Sequence, residues 1–271
     1  MFIIMYTHIL IRFGEIFLKG KNRGYFERKL IKNIEKVTGH RVHRLRSRFY
    51  MDYFENYHLL KRVFGIVSYS LCIKVDKDID EIFKVALDVA CKRKFDDFKI
   101  VTNRADKTFP IQSPQINVQV GQFIENESSC QFDFNSKNIL EIEINQVAAF
   151  VFATREKCFG GLPSGVEGEV ALIVENEASV LAGLMFLKRG CKLKLFYGVG
   201  GNDVDLALLE AYSVDSMGVV EDLSKFDDLA LVSSQNFENY LKYDFSNMVF
   251  RPLIAYSKDR IDDELNMLNC L

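Results

Sequence analysis

Nothing in this sequence could cross a membrane as a helix, since no run approaches the roughly 18 apolar residues a span needs, and the apolar opening at residues 1–5 is too short for a signal peptide. Paired cysteines are missing too. The six (Cys72, Cys91, Cys130, Cys158, Cys191 and Cys270) are scattered without a Cys-x-x-Cys spacing, so isolated thiols are expected and disulfides are not. Of the four histidines, His40 and His43 lie close together but have no cysteine or carboxylate at ligand spacing, and no structural metal is expected. The chain also has no internal repeat and no low-complexity linker. Membrane, disulfide-scaffold and zinc-module classes are thereby disfavoured, and a cytoplasmic protein is the expectation.

What is present is an ordinary globular composition. With 271 residues, 48% of them hydrophobic, the chain can bury a large core, and its length suits two or three modest domains. The net charge of −2 hides an asymmetry: residues 12–48 hold twelve Lys/Arg against three Glu, a local +9, whereas residues 161–271 hold nine against eighteen Asp/Glu, a local −9. The first end suits a polyanion and the second does not.

Periodicity predicts a strand over 8–13, then a helix over 22–37 with Phe26, Leu30, Ile34 and Val37 as its apolar stripe and Arg28, Lys32 and Lys36 as a basic one. A hairpin over 41–53 turning near Ser47, a short helix over 57–63 and a strand over 66–75 complete a βαββαβ order, that of a ferredoxin-like domain. A helix over 78–93, a strand over 98–102 and an irregular stretch over 104–112 follow. Ser113 is placed to cap the next helix, with Pro114 in its first turn, where a missing N–H costs nothing. That helix should run to about Asn126. A hairpin is expected between 139–144 and 148–153 about Asn145-Gln146. Strand and helix patterns then alternate as in a parallel α/β layer, and the Gly160–Gly165 stretch is the best boundary.

Within that last part, the strand over 169–174 and the helix over 178–189, with Val180, Leu184 and Leu187 at helical spacing, flank Glu175-Asn176-Glu177. An α/β nucleotide-binding unit would keep a glycine-rich turn there, its N–H groups aimed at phosphate; two carboxylates repel that anion.

Three segments, Gly160-Gly161-Leu162-Pro163-Ser164-Gly165, Leu187-Lys188-Arg189-Gly190 and Arg104-Ala105-Asp106-Lys107-Thr108-Phe109-Pro110-Ile111-Gln112-Ser113-Pro114, together resemble the tRNA 4-thiouridine synthetase (tRNA sulfurtransferase) family. The resemblance implies a ferredoxin-like domain, a THUMP RNA-binding domain and an ATP-pyrophosphatase domain of the PP-loop type, whose signature is Ser-Gly-Gly-x-Asp-Ser. Counted back from Lys188-Arg189-Gly190, the signature falls on Val174 to Ser179, and only Ser179 matches. The family's metal-organising Asp is Ala178 here. By the same resemblance the nucleotide pocket maps onto Leu172, Ile173, Tyr197, Gly198, Phe226 (where a glycine is expected) and Gln235, and good matches persist over 232–239 and 251–258. The segment over 198–231 is shorter than the family's, and neither its basic pair nor its sulfur-carrying cysteine has a match. Cys191 and Cys270 lack the electropositive neighbourhood that lowers a thiol pKa and read as ordinary cysteines.

Two basic clusters are the RNA-binding candidates. Arg12 opens the first, which resembles the family's opening and takes in Lys19, Lys21, Arg23, Arg28 and Lys32, extended by Arg44, Arg46 and Arg48. Its alternative is a solvated helix face. The second is the THUMP-like stretch, with Arg104 and Lys107 reaching phosphates and Phe109 a candidate to stack on a base; Phe109 and Pro110 also read as a plug of the core beneath the loop, and both readings are expected to hold, the cations functional and the apolar pair structural. Gly198-Val199-Gly200-Gly201 lacks a third spaced glycine and reads as a plain turn, and Asp227-Asp228 and Asp262-Asp263 read as solvated surface.

The expected architecture is therefore α/β, α+β in its N-terminal half: a ferredoxin-like domain over 1–75, a THUMP domain over 76–163 and a shortened PP-loop-like domain over 164–271. The expected function is tRNA acceptor-end binding with an eroded ATP-pyrophosphatase site and no assigned catalytic residue, cofactor or metal. The competing expectation is a divergent but active sulfurtransferase using ATP and Mg²⁺. A third is a scaffold, docking a catalytic paralogue, a sulfur carrier or a second copy through its acidic end.

Overall fold

The computed structural model describes residues 5–198, 200–223, 229–241 and 246–269. The fold divides into two compact units that interleave along the chain: residues 1–12, 40–55 and 68–157 make the first, and 13–39, 56–67 and 158–271 the second. Phe226, Asp227-Asp228 and Cys270 lie outside the described residues.

The N-terminal elements are strand β1 (His8–Phe13), helix α1 (Arg23–Thr38), strands β2 (His43–Arg44) and β3 (Phe49–Asp52), a 3-10 turn at Tyr57–Arg62 and strand β4 (Ile66–Val75). Helix α2 (Ile79–Arg93), strand β5 (Asp97–Arg104), helix α3 (Ser113–Glu127) and strands β6 (Gln131–Phe132), β7 (Ile139–Ile144), β8 (Ala149–Phe152) and β9 (Glu156–Lys157) follow. The order β2-β3-β1-β4 is the ferredoxin-like arrangement, with its second helix reduced to the 3-10 turn. The sheet continues from β4 through β8, β7 and β5 to β6, so the strands before and after residue 75 share one sheet. The seam is antiparallel β4–β8, with Ile73 opposite Val151, and Leu10, Cys72, Phe150 and Phe152 pack beside it. Helices α2 and α3 bury Ile82, Ala86, Val89, Ile116, Val120 and Ile124 in one core with Ile100, Leu140 and Ile142.

Ser113 is not the cap of α3. Gln112 holds that position and its N–H donates to Gln115 Oε1 at 3.2 Å, the reciprocal bond of a capping box; Ser113 and Pro114 then fill the first turn. A reciprocal side chain three residues on outcompeted the shorter serine. The β7–β8 hairpin turns as expected, because Asn145 Oδ1 accepts the N–H groups of Val147 and Ala148.

The C-terminal part is a five-stranded parallel sheet in the order β12-β11-β10-β13-β14, built from β10 (Glu169–Val174), β11 (Lys192–Tyr197), β12 (Gly218–Val219), β13 (Ala230–Val232) and β14 (Val249–Phe250). Helix α4 (Ala178–Lys188) buries Val180, Leu181, Leu184 and Leu187 in one core with Leu172, Leu193 and Leu195 of the sheet; α5 (Ala207–Tyr212) and α6 (Lys258–Asn269) pack against α4. The glycine-rich segment before β10 closes the C-terminus of α4. Leu162 N–H donates to Lys188 O (2.9 Å), Ser164 Oγ to Leu187 O (3.1 Å), and the N–H groups of Gly165, Val166 and Glu167 all converge on Gly190 O. The helix's last carbonyls have no partner within it, so two motifs separated in sequence form one structural device. Gly161 is fixed by it, since a Cβ there would sit 2.3 Å from Lys188 O.

Candidate functional site

In the first unit, the arginines divide by depth. Arg12 is buried, 5% exposed, and its guanidinium donates to Glu143 Oε1 at 3.0 Å and Ser70 Oγ at 2.9 Å while lying over the Phe152 ring. Burial pulls its pKa below the ordinary value, and Glu143 pulls back. Arg48 Nε donates to the other oxygen of Glu143 at 3.2 Å. Both arginines thus compensate one buried carboxylate, and Arg12 is removed from the RNA-facing set while Arg48 is tied by its head group. Arg44 and Arg46, on the hairpin, are exposed.

Arg104, at the end of β5, points back into the loop it precedes: Nη1 donates to the carbonyls of Phe109 and Ile111 (3.0 Å to the latter). Asp106 accepts from Lys77 Nζ (2.8 Å) and from both N–H and Oγ of Thr108 (2.9 and 2.7 Å), and those hydrogen bonds, Lys77 first, hold its carboxyl down at about 2. Phe109 is 6% exposed and belongs to the core under α2 and α3. Its ring is unavailable for stacking on a base, a correction to that reading: the loop is anchored by Phe109 and braced by Arg104, and Lys107 is the exposed cation at its tip.

In the second unit, the basic helix α1 and the 3-10 turn before it (Glu15–Asn22) meet acidic partners from far along the chain. Lys19 Nζ lies 2.8 Å from Glu167, and Lys36 Nζ 2.6 Å from Asp215, which Lys29 also approaches at 3.9 Å. The bond from Lys36 keeps Asp215 below the ordinary carboxylate value. Arg23 pairs with Glu27 at 2.6 Å and stacks over Phe17. Lys19 and Arg23 are therefore engaged inside the unit, whereas Lys21, Arg28 and Lys32 are exposed and form no ion pair among the described residues. The basic stripe read from the sequence holds at Arg28 and Lys32 and ends at Lys36. Glu143, Glu167 and Asp215 were missed as partners; the opposite charge of the two chain ends was the only signal pointing to the last two.

The C-terminal edge of the parallel sheet is the other candidate. Strand β10 has β11 on one side and β13 on the other, so the loop after it sits where strand order reverses, the place where open α/β sheets bind ligands. Leu172 and Ile173 are buried core residues facing opposite sides of the sheet, and their side chains are closed to any ligand. Ser179 Oγ accepts the N–H groups of Glu175 (3.2 Å) and Asn176 (3.4 Å) and donates to Ser234 Oγ (3.2 Å), which donates to Asn176 Oδ1 (3.2 Å). The Glu175 side chain lies on Gly198, where a Cβ would meet its Cγ at 2.7 Å, and Gly201 packs so closely on Val174 O that a Cβ would come within 2.0 Å. Beside this loop Gln235, buried after β13, accepts from Arg251 Nε at 3.1 Å, and Arg251 stacks over Tyr240. Tyr197 and Gly198 flank the loop, which brings Gly198, but not Leu172 or Ile173, into reach of its carboxylate. Among the described residues no metal-ligating cluster forms and no helix is long and apolar enough to cross a membrane.

Comparison with known proteins matches residues 8–70 to the ThiI ferredoxin-like domain and residues 76–152 to the THUMP domain. The chain is 34% identical over 200 residues to a probable tRNA sulfurtransferase of Thermoanaerobacter sp. (strain X514) and 37% identical over 206 residues to one of Brevibacillus brevis (strain 47), covering 70% and 71% of this chain and 52% of each relative. It thus spans about half the length of the curated relatives it matches. Among solved structures, PH1313 from Pyrococcus horikoshii Ot3 superposes with a TM-score of 0.84 at 25% identity, over 97% of this chain and 99% of that one. A 4-thiouridine synthetase in complex with RNA and bound ATP superposes with a TM-score of 0.83 at 24% identity over 97% of this chain and 85% of its own, a likeness of fold.

Proposed function

Because this chain belongs to the tRNA sulfurtransferase family, we propose that it binds tRNA and that its parallel α/β domain has lost the ATP chemistry. The RNA-binding part of the reading rests on the two matched domains and on exposed cations: Lys21, Arg28 and Lys32 in one unit, Arg44, Arg46 and Lys107 in the other. Such cations neutralise phosphates and release counterions. They position an RNA by its shape rather than its duplex sequence. The acceptor end is the proposed target.

The observation that carries the second part is the arrangement around Ser179. An ATP-pyrophosphatase loop needs free N–H groups and a carboxylate for Mg²⁺. Here Ser179 takes the N–H groups of Glu175 and Asn176, Ala178 stands in the place of the Asp, and Glu175 fills the space against Gly198. The residues present do not fit Mg-ATP. Sulfur transfer to a bound tRNA would then fall to a partner, a catalytic paralogue or a separate sulfur carrier.

One observation favours the competing reading of an active, divergent sulfurtransferase: the Gln235–Arg251 pair keeps a polar, cationic group at the same sheet edge. Titration of the purified chain with tRNA and with Mg-ATP separates the two. Salt-dependent tRNA binding without ATP binding is expected; saturable Mg-ATP binding would return the protein to the enzymes.

A further inference from the structure

We propose that Tyr25 is a stacking platform for an unpaired nucleobase of the bound RNA, the task for which Phe109 is too deeply buried. This inference rests on the tRNA-binding reading above and adds a contact that reading lacks, since exposed cations hold phosphates but give a base nothing to lie on. Tyr25, Arg28 and Lys32 stand three and then four residues apart, the spacing of one helix face, and Lys21 lies four residues earlier at the end of the 3-10 turn that leads into α1. All four are exposed, whereas Phe26, Leu30 and Ile34 of the same helix are buried. A ring 50% exposed therefore stands in a row of cations that spans about 10 Å of helix axis from Tyr25 to Lys32. Arg28 is turned back toward it: a Cβ at Gly24 would meet Arg28 Nη1 at 3.4 Å, so the guanidinium lies over the residue next to Tyr25.

The neighbouring rings are already engaged. Phe17 stacks on Phe13 with centroids 5.0 Å apart and has the Arg23 guanidinium 4.4 Å from its centre, and Phe26 is buried with Lys19 Nζ 4.7 Å from its own. Tyr25 meets Phe26 at 5.5 Å with the ring planes at 88°, so the contact props the Tyr25 ring and no ring among the described residues lies parallel to it. The first turn of α1 carries no acidic side chain to repel an incoming phosphate. Charge thus selects a polyanion for this face, and the ring selects within it: bases of a duplex are stacked on one another, whereas a loop, bulge or single-stranded end can splay a base onto a side chain. Every base has a π-face, so the platform recognises that a nucleotide is unpaired and not which base it carries. Lys21, Arg28 and Lys32 would hold the phosphates on either side of that nucleotide.

The test titrates the full chain with an unmodified tRNA transcript and with a blunt RNA duplex that has no unpaired nucleotide, each at several salt concentrations. Tyr25→Ala should weaken tRNA binding roughly 5- to 150-fold, the range for loss of one stacked base. It should leave the salt slope unchanged, because no phosphate contact is removed. Tyr25→Phe, which keeps the ring, should bind tRNA as the wild type does, and the blunt duplex should bind equally to wild type and Tyr25→Ala. Wild-type tRNA affinity in Tyr25→Ala, an equal loss in Tyr25→Phe, or an equal loss on the blunt duplex would overturn the platform while leaving the tRNA reading in place. Absence of tRNA binding by the wild type would overturn both. Tyr25→Gln, which also lacks the ring, replaces the alanine variant if that one folds poorly.

Discussion

The hydroxyl of Ser179 accepts the N–H of Glu175 at 3.2 Å, so the single residue that matches the pyrophosphatase signature binds its own loop. Its retention has a structural cause: it is fully buried and it also joins Asn176 and Ser234 in one network. Removing a buried hydroxyl that satisfies two amides costs about 1–3 kcal/mol. Ser179→Ala should therefore lower urea stability by that amount and leave tRNA affinity unchanged, as measured by equilibrium unfolding and filter binding.

The chain alone should neither cleave ATP to AMP and pyrophosphate nor form 4-thiouridine. Each missing oriented donor costs about 2.7–4 kcal/mol of transition-state stabilisation, a rate factor of roughly 10²–10³. Two, the N–H groups of Glu175 and Asn176, are engaged internally here, and Glu175 and Glu177 add repulsion. A single-turnover reaction with tRNA, Mg-ATP and a sulfur donor, followed by nucleoside mass spectrometry, checks this; thiolated uridine above a no-protein control refutes it.

Replacing Lys21, Arg28 and Lys32 together by Ala should weaken tRNA binding and flatten its salt dependence by about 0.7–0.9 in log–log slope for each phosphate that is no longer neutralised. Replacing Lys19 and Lys36 instead should act mainly on stability, because Glu167 and Asp215 already hold them. Equal flattening of the slope in both variants would remove the assignment of this face.

Arg12→Ala should destabilise the first unit by about 3–5 kcal/mol, since it leaves buried Glu143 with Arg48 as its one ion-pair partner among the described residues. Differential unfolding of the variant measures this. A loss within error of zero would mean that the pair is dispensable.

Asp106 gives the THUMP loop a pH dependence of known sign. Its folded pKa of about 2 lies below the ordinary 3.8, so its contribution is present above 3.8 and is lost as pH falls toward 2. The wild type should lose stability through that window more steeply than Asp106→Asn, in which Lys77 and Thr108 no longer have a carboxylate to hold. Parallel pH profiles would exclude the contribution.

By itself the sequence determined the elements and the chemistry of the loop after β10. Strand and helix order, the hairpin at Asn145 and the parallel layer follow from apolar spacing and turn residues, which act over a few positions. The cap of α3 was misplaced for a local reason, a reciprocal Gln112–Gln115 bond stronger than the serine signal. The carboxylates of Glu175 and Glu177 are likewise plain from identity alone. Only the tertiary structure decided which charges face solvent. Arg12 and Glu143 are 131 residues apart, Lys19 and Glu167 148, and Lys36 and Asp215 179, yet each pair is in contact. The same holds for Phe109, whose ring the sequence offers both as a structural plug and as a stacking candidate, and which the core under α2 and α3 encloses. The sign of a charge or the presence of a ring is fixed by the residue, but whether it is desolvated and paired depends on groups that only folding brings near.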